Sequence, residues 1–85
     1  MDDWFHSMAM KMIYGRWNGK RVMTVEDKRT LGGTLLDKVE QIYGVGSPLY
    51  DETCQFIESC VRGNPGVERL TALRAAEEAS VRIRR

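Results

Sequence analysis

The sequence predicts an all-α fold, a small bundle of four helices, or five if the second one breaks. Three observations carry that expectation. Apolar residues recur at spacings of three and four in four separate stretches. Two of those stretches open on recognisable start signals, "TVED" at 24–27 and Ser47-Pro48. Glycines stand between the stretches, at Gly15, Gly44, Gly46 and Gly63. At 85 residues the chain makes one domain, 1–85, with a single modest core.

The first helix is read from Trp4, Phe5, Met8, Ala9, Met12 and Ile13, with Asp2 or Asp3 to cap it. It should end near Tyr14. Met10 and Tyr14 fall off its apolar face, so they either extend an exposed patch or lie under another element. The stretch "GRWNGKR" at 15–21 then reads as a basic turn, or as the tip of a short β-hairpin around residues 15–24. Asn18-Gly19 supports the hairpin because both residues tolerate positive φ.

Thr24 starts the second helix through a capping box, and Val25, Leu31, Leu35, Val39, Ile42 and Tyr43 continue it at helical spacing. Gly32-Gly33 interrupts it at a cost of ~1–2 kcal/mol relative to alanine. "TLLD" at 34–37 is a second capping-box match. One kinked helix and two short ones are both open. Ser47-Pro48 begins the third helix, with Leu49, Tyr50, Cys54, Phe56, Ile57, Cys60 and Val61 as its apolar face. Asn64-Pro65 would start the last helix by the same device. Val67, Leu70, Leu73 and Ile83 with interspersed alanines give that helix a narrow stripe, and Arg74–Glu78 and Glu78–Arg82 are i, i+4 pairs on its wet face.

The net charge of +1 is unevenly spread. Residues 11–29 hold six cations against two carboxylates, whereas 30–63 hold two cations against five. A folded chain could therefore set a basic patch beside an acidic one. The opening "MDDWFH" is acidic where a secretory signal is basic, and no apolar run approaches the ~20 residues of a membrane span. Cys54 and Cys60 lie six apart on one helix, ~9 Å along its axis, too far for a disulfide. Two free thiols suit a reducing cytoplasm, and the expected role for them is as small buried hydrophobes.

Chemistry is sparse. The single histidine, His6, has only Ser7 beside it, ~100° round the helix, which does not make a nucleophile and base. One histidine and two distant cysteines do not approach a zinc set. "GVGSPLY" lacks the third glycine of a dinucleotide loop, and the acidic pairs Asp51-Glu52 and Glu77-Glu78 are expected at a helix start and on a wet face. The expectation is a protein that is not an enzyme and takes no metal or cofactor.

Binding is the remaining class. Trp and Arg are enriched among interface hot spots. The candidate contact residues are Arg16, Trp17, Lys20 and Arg21, followed by Lys28 and Arg29. Asp51, Glu52 and Glu58 offer a second, acidic face. The partner expected is another protein or protein complex, with the chain as adaptor or inhibitor of the sort phage and mobile-element genomes encode. Nucleic acid is the alternative, since cations around an aromatic suit phosphate contact and stacking. A helix-turn-helix would read DNA with "LLDKVEQIY", whose one lysine and two carboxylates suit a major groove poorly. No membrane partner is expected, and a homo-oligomer is compatible with the narrow stripe of the last helix.

Overall fold

In the computed structural model, which describes residues 3–14, 24–63 and 66–84, four helices pack into a bundle. They are α1 (Asp3–Tyr14), α2 (Val25–Tyr43), α3 (Pro48–Arg62) and α4 (Val67–Arg84). Among the described residues there is no strand, and the turn or hairpin expected around 15–24 lies, up to residue 23, outside them.

Each helix buries one stripe at the spacing its sequence carries. The stripes are Phe5, Ala9, Met12 and Ile13 on α1; Leu31, Gly32, Leu35 and Val39 on α2; Leu49, Thr53, Phe56 and Cys60 on α3; and Leu70, Leu73, Glu77 and Ser80 on α4. Phe56, Leu35, Leu49 and Leu73 are wholly enclosed and form the centre. Burying each such side chain stabilises the fold by roughly 1.5–3 kcal/mol before conformational entropy is counted.

The capping box at Thr24 forms as the sequence indicates. Asp27 N–H donates to Thr24 Oγ1 at 3.0 Å, and Thr24 N–H donates to Asp27 Oδ2 at 3.2 Å. The helix then runs unbroken through Gly32-Gly33, so the bundle has four helices rather than five. "TLLD" is not a cap: Thr34 Oγ1 donates to the Thr30 carbonyl one turn back, at 3.3 Å, inside α2. The reason for continuity lies across the interface. A Cβ on Gly32 would stand 2.9 Å from Ile57 Cγ1 and 3.0 Å from Cγ2. The missing side chain lets α2 and α3 approach, and the packing gained offsets the poor propensity. Gly33 faces open space and contributes no such contact.

Gly44 ends α2 at φ 94°, its N–H donating to the Glu40 carbonyl at 3.0 Å. The tight link to Ser47 folds α3 back along α2. Lys28, near the start of α2, accordingly meets the end of α3, where its Nζ donates to the Cys60 carbonyl at 2.8 Å. That ammonium satisfies a last-turn carbonyl and sits at the negative end of the helix dipole. The start of α3 is equally well served. Pro48 carries no N–H, Leu49 N–H donates to Ser80 Oγ at 2.9 Å, and Tyr50 N–H donates to Ser47 Oγ at 3.2 Å. Helix α4 begins at Val67, two residues later than Asn64-Pro65 implies, and those two residues lie outside the described part.

Glu77 departs from its sequence reading. It was expected on the wet face, but at 8% exposure it belongs to the buried stripe of α4, one turn before Ser80. The spacing 70, 73, 77, 80 places it there regardless of its charge. Arg74 turns toward α1, with Nη2 at 3.4 Å from His6 Nδ1.

The two adjacent glycines should respond oppositely to alanine in urea unfolding. Gly33→Ala gains roughly 0.5–1 kcal/mol from propensity alone. Gly32→Ala makes the same gain but overpacks Ile57, and its net effect is a loss of about 1 kcal/mol. Ser80→Ala, which strands the buried Leu49 amide, should cost about 1–3 kcal/mol in the same assay.

Candidate partner-binding surface

Helix α1 offers two faces. The inner one is spent on the core. The outer one presents Ser7, Lys11 and Tyr14 to solvent and half-buries His6 and Met10. Residues 7, 10, 11 and 14 recur at three- and four-residue spacing, so they share one side of the helix. With His6 they line an open groove of about 670 Å³. Met10 packs partly against the core, while Tyr14, at 63% exposure, is the most exposed large apolar residue among those described. Of the two residues that fell off the sequence-read apolar face, one is therefore partly covered and one stands in solvent.

The six sequence-predicted contact residues separate at this point. Arg16, Trp17, Lys20 and Arg21 lie outside the described residues. Lys28 is engaged with the Cys60 carbonyl and joins α2 to α3. Arg29 is exposed on the first turns of α2.

The acidic block also divides. Glu52 Oε1 lies 3.1 Å from Arg69 Nη1, a partly covered pair that ties α3 to α4. Glu58 makes only a solvent-exposed i, i+4 approach to Arg62 at 4.0 Å, a contact of little energetic weight. Asp51 is exposed. Sequence reading did not anticipate that Asp37 and Glu40 of α2 join Asp51 around Tyr50 of α3. Burial first, and then the charges of Cys54, Glu40, Asp37 and Asp51, hold the Tyr50 hydroxyl above the usual tyrosine range. The signal was absent from the sequence because residues 37 and 51 meet only once α3 folds back.

The thiols are unreactive by placement. Cys60 is fully enclosed, and burial pushes it up to about 11 although Lys28 pulls the other way. Cys54, half-buried, is raised by burial and by the Asp51 and Glu58 carboxylates. A protonated thiol is a poor nucleophile. Among the described residues no group of three His, Cys, Asp or Glu side chains could hold a metal ion, and no helix is long and apolar enough to cross a membrane.

Comparison of the chain with protein-family models, with curated proteins and with solved structures returned no match.

The cysteines give a direct check. At pH 7.5 an aromatic disulfide reagent should leave Cys60 unmodified and label Cys54 slowly, with both reacting promptly in denaturant. Because the folded Cys60 value lies above the ordinary 9.0, the native state holds its proton where the unfolded state has lost it. Stability should accordingly be flat below pH 9 and fall between about pH 9 and 11. Urea midpoints across that range measure the slope, which should be shallower in Cys60→Ala.

Proposed function

We propose that this chain is a non-enzymatic protein-binding module, an adaptor or inhibitor that works by occupying the surface of a macromolecular partner through the outer face of α1 and the basic stretch that follows it. The observation that carries this reading is Tyr14. It is a large aromatic side chain, 63% exposed at the end of α1, on a groove shared with Met10 and Lys11. Aromatic residues that bring contact area and a polar handle dominate binding energy at protein interfaces. In sequence, Arg16, Trp17, Lys20 and Arg21 follow within seven residues and are further hot-spot residue types. The two free thiols fit a reducing, cytoplasmic setting, and the small size is of the kind phage and mobile-element genomes use for such proteins.

Nucleic acid draws on the same cations but is less well supported. Lys28, one of the five cations between residues 16 and 29, is held by a helix carbonyl. Phosphate binding would rest on Arg16, Lys20, Arg21 and Arg29, giving a log–log salt slope of about −3.6 on duplex DNA.

The test is recovery of partners from host lysate by the tagged chain, in nuclease-treated and untreated halves. Wild type should retain one protein in near-stoichiometric amount from both. Tyr14→Ser and Trp17→Ala should each weaken retention by on the order of thirtyfold or more, with the helical circular dichroism of Tyr14→Ser unchanged. Retention that disappears with nuclease, and with it a steep salt dependence, assigns the surface to nucleic acid instead.

A further inference from the structure

We infer that α1 is a separable element: α2, α3 and α4 close a three-helix core among themselves, and α1 undocks from it as a unit while the rest stays folded. The inference is independent of what binds the outer face of α1.

Two observations carry it. The first is how the helices lie. Helices α2 and α3, and α3 and α4, run close together over long stretches, whereas α1 approaches α2 over a short stretch and barely reaches α3 and α4. The second is how they are tied. Helix α2 is fixed to α3 at one end by the short link from Gly44 to Ser47, and at the other by Lys28 Nζ donating to the Cys60 carbonyl at 2.8 Å. Between those ends Gly32 fits closely over Ile57. Helix α3 is fixed to α4 by the buried bond from Leu49 N–H to Ser80 Oγ and by the partly covered Glu52–Arg69 pair. The described polar contact of α1 is of another kind. Arg74 Nη2 stands 3.4 Å from His6 Nδ1, long for a hydrogen bond and open to water.

The apolar seating of Phe5, Ala9, Met12 and Ile13 therefore carries the attachment of α1. Such seating is non-directional, and a helix of 12 residues is marginal alone in water. Once the seating is lost, α1 is released as a whole rather than residue by residue. Leu35, Val39, Leu49, Phe56 and Leu73 then remain on three helices joined by every tie named between them. An element with the thinnest apolar contact and an exposed polar contact opens at a lower free energy than the whole chain. Undocking bares Phe5, Met12 and Ile13 together with the core residues they cover, an apolar surface absent from the closed molecule.

The experiment is native-state amide hydrogen exchange of the full chain, read residue by residue by NMR at low urea. Met12 and Ile13 should exchange on the order of tenfold or more faster than Phe56 and Leu73, with a smaller urea dependence. Two variants separate local from global opening. Gly33→Ala strengthens α2, which is folded whether α1 is docked or not. It should slow Phe56 and Leu73 about twofold to fivefold and leave Met12 and Ile13 unchanged. Ser80→Ala, folded by circular dichroism, should speed Phe56 and Leu73 by about fivefold or more and again spare α1. Met12 and Ile13 exchanging at the rate and urea slope of Phe56 would overturn the inference. So would α1 amides that follow Phe56 in both variants, because α1 would then open only when the whole chain unfolds.

Discussion

The hydroxyl of Ser80 fixes how α4 meets α3. It accepts the N–H of Leu49 at 2.9 Å and donates to the Ala76 carbonyl of its own helix at 2.8 Å. Leu49, in the first turn of α3, is buried, so its amide unpartnered would cost more than an ordinary hydrogen bond gains. Pro48 removes one donor, Ser47 answers another, and Ser80 supplies the acceptor that no local side chain provides. Leu70 and Leu73 of α4 share the buried core with Phe56 of α3, and Glu52 reaches Arg69.

The α2–α3 interface is set by a different constraint. Gly32 brings the two backbones close over Ile57, and Lys28 closes the far end by bonding the last-turn carbonyl of Cys60. A local weakness, two glycines in mid-helix, is here a tertiary asset at one position and plain permissiveness at its neighbour. The same charge that made Lys28 look like a contact for phosphate makes it a good cap for a helix C-terminus. Helix α1, by contrast, is joined to the rest mainly through Phe5, Ala9, Met12 and Ile13, with the Arg74–His6 approach as a polar contact. Its outer side is left for other uses.

The surface that results is divided by charge. Carboxylates of α2 and α3 gather around Tyr50, while Lys11 of α1 lines the groove beside Tyr14. A small chain with one compact core has little interior left for chemistry, and its cysteines are protonated where they stand.

The sequence by itself determined the helices: their number within one, the ends at Tyr14, Thr24, Gly44, Ser47 and Gly63, and most of the buried positions. These are legible because capping, proline and glycine effects and the 3.6-residue period act within a few residues of the chain. The tertiary structure alone decided whether Gly32-Gly33 breaks α2, since the compensation comes from Ile57, 25 residues on. It alone engaged Lys28 and Glu52, and collected Asp37, Glu40 and Asp51 into one patch. Each of those outcomes depends on which residue of another helix arrives opposite, and composition and spacing carry no record of that.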